Sequence, residues 1–319
     1  MKHFHIYMLA LILKEGKFSC VKAAKKLTSI SHDSLTRILQ KEEVESNVDI
    51  EKLPKGGILI VDDTTIDKSY SKKLEGTSHV YSSSLKKTIV GYCFLTLIYV
   101  CGKNIYYLDK IFWQKGGKTK NELLQDKLKE LQEKGLSPNL ILFDKWYAAS
   151  ETLNLINDFG WKYLCPMKVN RCFRQKNNAK KGRKYYKQKQ LKEHKFNGAK
   201  SLKGKLRGVA HEVQAIKHCG RYLVTNLNMI ITSYSGAKIY KKRWIIEEVF
   251  QALKSYLHLN ECSSRSLVAQ KNHVEACLQA FIFIKGIYPN LGVESAQSEF
   301  IKDFKVDKLN QYLIYLEVA

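Results

Sequence analysis

Apolar residues along the chain fall into short unbroken runs, alternating runs and helical repeats, in an order that predicts a mixed fold. Residues 58–61 and 140–143 are runs bounded by Gly, Pro or polar residues, the signature of interior strands in a covered sheet. Residues 88–100 and 104–113 flank Cys101-Gly102-Lys103 and predict two long strands around a hairpin turn. Leu123, Leu124, Leu128 and Leu131 predict a helix over 121–134, broken by Pro138. A helix near 149–159, a strand near 161–168 and a closing helix over 265–284 follow, and 209–217 with 221–225 read as a strand pair. Between them, 240–254 (YKKRWIIEEVFQALK) predicts one helix. On it Tyr240, Arg243, Glu247 and Lys254 share an arc of roughly 60°, beside an apolar arc of roughly 140° from Ile245, Ile246, Val249, Phe250, Leu253 and Leu257. Glu248 points elsewhere.

The N-terminal pattern is all helical. Residues 7–13 are apolar behind Lys2 but too few for a membrane span, and they predict a first helix. Residues 21–27 (VKAAKKL) predict a second, 28–32 a turn, and Asp33 caps a third through Gln40. This resembles a helix-turn-helix whose last helix offers Ser34, Thr36 and Arg37 to a major groove. The expected division is a helical region over 1–50 and a catalytic domain over 51–319, with a basic, β-rich insertion at about 169–236.

Acidic residues stop both buried runs: Asp62 and Asp63 after the first, Asp144 after the second. Carboxylates at strand ends collect at one edge of a sheet, where ligands of open α/β sheets bind. With Glu247 on a later helix they make an ordered acidic set. Strands in this order with these acids are the constellation of a ribonuclease-H-like nucleotidyl transferase core, an α/β fold with a mixed sheet and flanking helices.

At this point the chain resembles the bacterial insertion-sequence transposases of the DDE type, in the branch marked by Y-x2-R-x3-E-x6-K. Tyr240, Arg243, Glu247 and Lys254 match every spacing; Asp62-Asp63-Thr64-Thr65 resembles the first motif and Phe143-Asp144-Lys145-Trp146-Tyr147 the second. The resemblance covers about residues 56–285 and implies catalytic, metal-holding carboxylates at Asp144, Glu247 and either Asp62 or Asp63. On a strand these two face opposite ways, so only one reaches the metal, with a slight lean to Asp62. It implies two Mg2+ ions, with Mn2+ as a substitute, which activate a water or 3′-hydroxyl and stabilise the leaving oxygen. It also implies double-stranded DNA as partner, both element ends and target, and two protomers in a synaptic complex. Arg243 and Lys254 become phosphate contacts and Tyr240 a partner for a terminal nucleotide. Competing readings are a ribonuclease-H-like nuclease or resolvase, and a non-catalytic DNA-binding repressor derived from a transposase.

Charge agrees with a polyanionic partner. The chain carries 54 Lys and Arg against 30 Asp and Glu, net +24. Most of the excess lies in 168–207, with 16 Lys and Arg, one acid (Glu193) and Tyr185, Tyr186 and Phe196 interleaved. Lys168, Arg171 and Arg174 in this segment, with Arg265 and Arg37, are the further expected DNA contacts. The eight cysteines are scattered and fit free core thiols better than a disulfide framework, and Cys165 and Cys172 lack zinc-site partners. His273 on the closing helix fits packing or a phosphate contact. No run reaches transmembrane length, so the expected setting is a bacterial cytoplasm, close to the nucleoid.

Overall fold

The computed structural model describes residues 2–14, 16–27, 30–46, 48–71, 73–176, 188–197, 201–305 and 311–313. Tyr185, Tyr186 and the central cations of the basic segment, and part of the 28–32 turn, lie outside the described residues.

Three helices open the chain: α1 (Lys2–Leu13), α2 (Cys20–Leu27) and α3 (His32–Gln40). The cap of α3 is Ser31, whose side chain accepts from Ser34 N–H, and Asp33 sits inside the first turn instead of capping it. Residues 6–13 of α1 are all buried, and α1 and α3 pack on the closing helix within the main core cluster.

The chain then builds β1 (Ile58–Asp67), β2 (Ser78–Ser82), β3 (Lys87–Cys101), β4 (Asn104–Trp113), α4 (Lys120–Glu133), β5 (Leu140–Phe143), α5 (Ser150–Asp158) and β6 (Tyr163–Met167). β4 pairs with β3, β3 antiparallel with β1, β1 parallel with β5 and β5 parallel with β6. That is the expected ribonuclease-H-like mixed sheet. Thr119 starts α4 with a capping box to Glu122, which explains why the helix begins at the basic residue Lys120.

The insertion contributes β7 (Cys172–Gln175), β8 (Lys189–Gln190), β9 (Leu202–Leu206), β10 (Val213–His218) and β11 (Arg221–Thr225). β11 pairs antiparallel with β6, so these strands prolong the same sheet. The chain closes with α6 (Ser233–Lys241), α7 (Trp244–Ser255), α8 (Leu267–Ile287) and α9 (Val293–Asp303).

Alternation along β1 divides the core. Ile60 and Ile66 belong to the cluster covered by α1, α7 and α8, whereas Leu59 and Val61 belong to the cluster under α4 and α5. A fully buried ion pair ties the first face down: Lys110 Nζ lies 2.5 Å from Glu275 Oε2, with Tyr107 donating to the same oxygen at 2.7 Å. His273 is packed too: Nδ1 lies 2.8 Å from the Tyr7 hydroxyl and Nε2 2.9 Å from the His258 carbonyl, and burial lowers it to about 4. All eight cysteines are free. Among the described residues no helix is long and apolar enough to cross a membrane.

At Gly91 of β3 there is no room for a side chain, because a Cβ there would stand 2.0 Å from the Ile66 carbonyl oxygen of β1. Gly91→Ala is therefore expected to cost roughly 1–3 kcal/mol, read as a lower urea midpoint at unchanged m-value. An unaltered midpoint would mean that the strands part locally without penalty.

Candidate active site

Two sequence expectations change in the structure. The first buried run does not end at Asp62 and Asp63: β1 continues to Asp67 because β3 pairs with it throughout, Asp62 opposite Thr96 and Asp63 opposite Leu95. What ends there is the parallel partner, whose last pairing is Phe143 with Val61. Asp144, one residue on, therefore emerges beside Asp62 where the two strands part.

Nor is 240–254 a single helix. Tyr240 belongs to α6, and Lys242 and Arg243 form a tightened junction in which Arg243 N–H donates to the Tyr240 carbonyl and Ile246 N–H to that of Arg243. These three-residue bonds overwind the chain, so the arc calculated for a continuous helix does not hold across the junction. Its chemistry still converges. The Arg243 guanidinium donates to Asp62 Oδ2 at 2.5 Å through one nitrogen and to Glu247 Oε1 through the other. Its carbon stands 5.7 Å over the Tyr240 ring, and the Tyr240 hydroxyl donates to the Phe143 carbonyl at 3.3 Å, next to Asp144.

Asp62 is half-buried, its side chain less exposed than that of Glu247. Desolvation raises its carboxyl to about 6 against the opposing pull of Arg243, with the charges of Asp63 and Asp144 adding to the rise. Asp144 heads the short turn Lys145–Tyr147, yet its carboxylate makes no capping bond. Glu247 is half-buried and Glu248 exposed. Lys254 is half-buried farther along α7, and burial lowers its ammonium. Asp63 points to the other face of β1, into a cluster with Lys120, Tyr147 and Cys93.

The remaining predicted contacts are spread over other elements. Lys168 and Arg171 line a cavity of about 670 Å³ with Lys145, Trp146 and Arg207, in which Lys168 Nζ lies 5.7 Å from the centre of the exposed Trp146 ring. Two polar atoms in its wall, Arg171 Nε and Asn121 Oδ1, are buried without a hydrogen-bond partner. Arg174 is exposed on β7, Arg265 in the loop before α8 and Arg37 on α3, so the structure gathers none of them at Asp62. Sequence reading missed Lys120, Tyr147 and the role of Trp146 as a cavity wall. For Trp146 and Tyr147 the only signal was nearness to Asp144, which says nothing of orientation, and Lys120 at the start of α4 carried none.

A family model for the transposase DDE domain matches residues 53–283. The chain belongs to the DDE transposase family. Among solved structures, a piggyBac transposase synaptic complex with hairpin DNA aligns at TM-score 0.52 and 13% identity, over 99% of this chain and 69% of that one. A Drosophila P element transposase strand transfer complex aligns at TM-score 0.29 and 13% identity, over 98% of this chain and 62% of that one. No curated protein matches. At these identities the piggyBac likeness speaks for the fold, a transposase catalytic core of the ribonuclease H kind.

Membership of the DDE family makes this a DNA-cutting enzyme in general outline and implies dependence on a divalent metal. Among the described residues no three His, Cys, Asp or Glu side chains are gathered closely enough to hold an ion. The donor set nevertheless fits a hard cation. Asp62, Asp144 and Glu247 offer oxygen only, and the positive charge now bridging Asp62 to Glu247 is a guanidinium. Beside it, Thr96 Oγ1 and Arg243 Nε are buried with no partner, so the Asp62 rung holds unmet hydrogen-bonding capacity.

Proposed function

We propose that this DDE-family protein is a transposase that binds the ends of its own mobile element, cuts them and joins the freed 3′-hydroxyls to target DNA. The observation that carries this reading is the bridge from Asp62 through Arg243 to Glu247, with Asp144 emerging beside Asp62 at the end of the β1–β5 pairing. The bridge ties two of the acids of the resemblance together, and the third follows directly on the last rung of the strand pair beside Asp62.

In this reading Asp62, Asp144 and Glu247 hold Mg2+, or Mn2+ in its place. Held there, such ions would supply Lewis-acid activation of a water or 3′-hydroxyl and charge stabilisation at the leaving oxygen. Arg243 keeps the carboxylates apart and charge-balanced before DNA arrives, then turns to a phosphate. Tyr240 presents its ring beside the same point. The cavity of Lys145, Trp146, Lys168, Arg171 and Arg207 carries four cations and an aromatic plane, a lining suited to a sugar–phosphate strand. Lys254, Arg174, Arg265 and Arg37 extend the contact surface, and residues 1–50 are the expected end-recognition region. Two protomers joining two ends, membership of the Y-x2-R-x3-E-x6-K branch and a place by a bacterial nucleoid belong to the same proposal.

The test is cleavage and joining of oligonucleotides copied from the element's ends, in Mg2+, by wild type and Glu247→Gln. We expect product formation to vanish in the variant while DNA binding by gel shift persists. Cleavage without joining in the wild type would favour a nuclease or resolvase, and binding with no nicking under any divalent ion a repressor. Equal activity in both proteins would remove Glu247 from the site.

A further inference from the structure

Asp63 has a different task from its neighbour. Its Oδ1 accepts the Tyr147 hydroxyl at 2.5 Å, and its Oδ2 accepts Lys120 Nζ at 2.6 Å and the Cys93 thiol at 3.3 Å. Both oxygens are thus engaged on the α4 side of the sheet, away from Arg243 and Glu247. Tyr147 is wholly buried, and its N–H donates to the Asp144 carbonyl at 3.0 Å, closing the turn that Asp144 heads. Burial, and then the Asp63 charge, hold the phenol far above its ordinary value, so it remains a donor.

The position of this contact gives it meaning. The β1–β5 pairing stops at Val61 and Phe143, so nothing in the ladder fixes the next pair of residues, Asp62 and Asp144. Asp144 makes no capping bond that would hold its own turn. The Asp63–Tyr147 hydrogen bond crosses between the same two chain segments one step later, on the opposite face. Lys120 anchors Asp63 in turn to the start of α4, which is itself locked by the Thr119 capping box.

We infer that Asp63 is a positioning residue: through Tyr147 it supplies the rung that the backbone no longer supplies, and so fixes Asp144 against Asp62. This rests on the reading of Asp62, Asp144 and Glu247 as the metal-holding set. Asp63 faces Lys120 and Tyr147 on the side of β1 opposite Arg243 and Glu247, so it is poorly placed to share a cation with Glu247. Losing the link frees the Asp144 turn by a few tenths of an ångström or more, and a cation shared between the two acids is sensitive to that spacing.

The experiment measures Mn2+ binding to the full chain, from the electron paramagnetic resonance of the free ion, alongside melting in EDTA and cleavage of an element-end oligonucleotide. Tyr147→Phe and Asp63→Asn are each expected to weaken Mn2+ binding roughly tenfold or more, with cleavage largely recovered at high Mn2+. Asp62→Asn is expected to bind no Mn2+ at any concentration tested. Tyr147→Phe leaves the ring in the core, so it keeps the test alive should Asp63→Asn fold poorly. Wild-type Mn2+ affinity in Tyr147→Phe would overturn the inference while leaving the metal set intact. So would an Asp63→Asn variant as inert as Asp62→Asn beside an unaffected Tyr147→Phe, because Asp63 would then be a ligand. Undiminished binding in Asp62→Asn would overturn the metal set and this inference together.

Discussion

Asp62→Asn is expected to lose all strand cleavage and, in metal-free buffer at pH 8, to be more stable than the wild type. The reason is the carboxyl raised to about 6 by burial. An acid whose folded pKa lies above its ordinary value favours the native state while protonated, so its contribution is complete below about pH 4 and is lost as pH rises through 6. Two pH units correspond to about 3 kcal/mol, an upper figure for a site that relaxes. Denaturant unfolding at several pH values in EDTA checks it. The stability gap between variant and wild type should be near zero at pH 4 and reach about 2 kcal/mol above pH 7. A gap independent of pH, or a less stable variant at pH 8, would mean that Arg243 fully compensates the buried charge. Activity and stability then oppose each other at one residue, as they do where a site holds charge for a ligand instead of for the fold.

The second large effect lies two strands from Asp62, on the rung where Thr96 pairs with Asp62 on one side and Lys110 on the other. Glu275 on α8 and Lys110 on β4 are both buried, and Lys110 Nζ also donates to the Val44 carbonyl at 3.1 Å, in the segment that leads from α3 into the sheet. Asn272 adds to this seam, accepting Val44 N–H at 2.7 Å and donating to the Leu39 and Glu42 carbonyls. Glu275→Gln leaves an ammonium buried without its counter-charge and should cost about 3–5 kcal/mol, read as a fall in denaturant midpoint. The paired replacement Lys110→Met with Glu275→Leu should recover much of that loss, because neither charge then needs solvation. A single variant within 1 kcal/mol of wild type would show that water reaches Lys110. Since α1 and α3 share this core, the N-terminal helices should melt with the sheet in one transition, not before it.

Both predictions depend on which way side chains point, and there sequence and structure divide. The buried runs, the hairpin over 88–113, the helix ending before Pro138 and the order of acids were legible because periodicity and breakers act locally. The β4 bounds come out as read, and the α4 bounds within one residue. The acidic residues themselves, and their match to the DDE resemblance, also needed no coordinates. Two elements could not be read in this way. An apolar run cannot reveal how far a strand continues once polar residues begin, since that depends on the partner strand: β3 carries β1 on to Asp67 while β5 stops at Phe143. The junction at Lys242–Arg243 contains no proline or glycine, so the pattern of 240–254 looks like one helix although two form.

The sequence by itself determined the family, the basic character and the acids from which a site can be built, because these follow from residue type and spacing. Only the tertiary structure decided between Asp62 and Asp63 as the one facing Arg243 and Glu247. Alternation along a strand puts neighbours on opposite faces, but which face meets α7 and which meets α4 is settled by packing of helices distant in the chain.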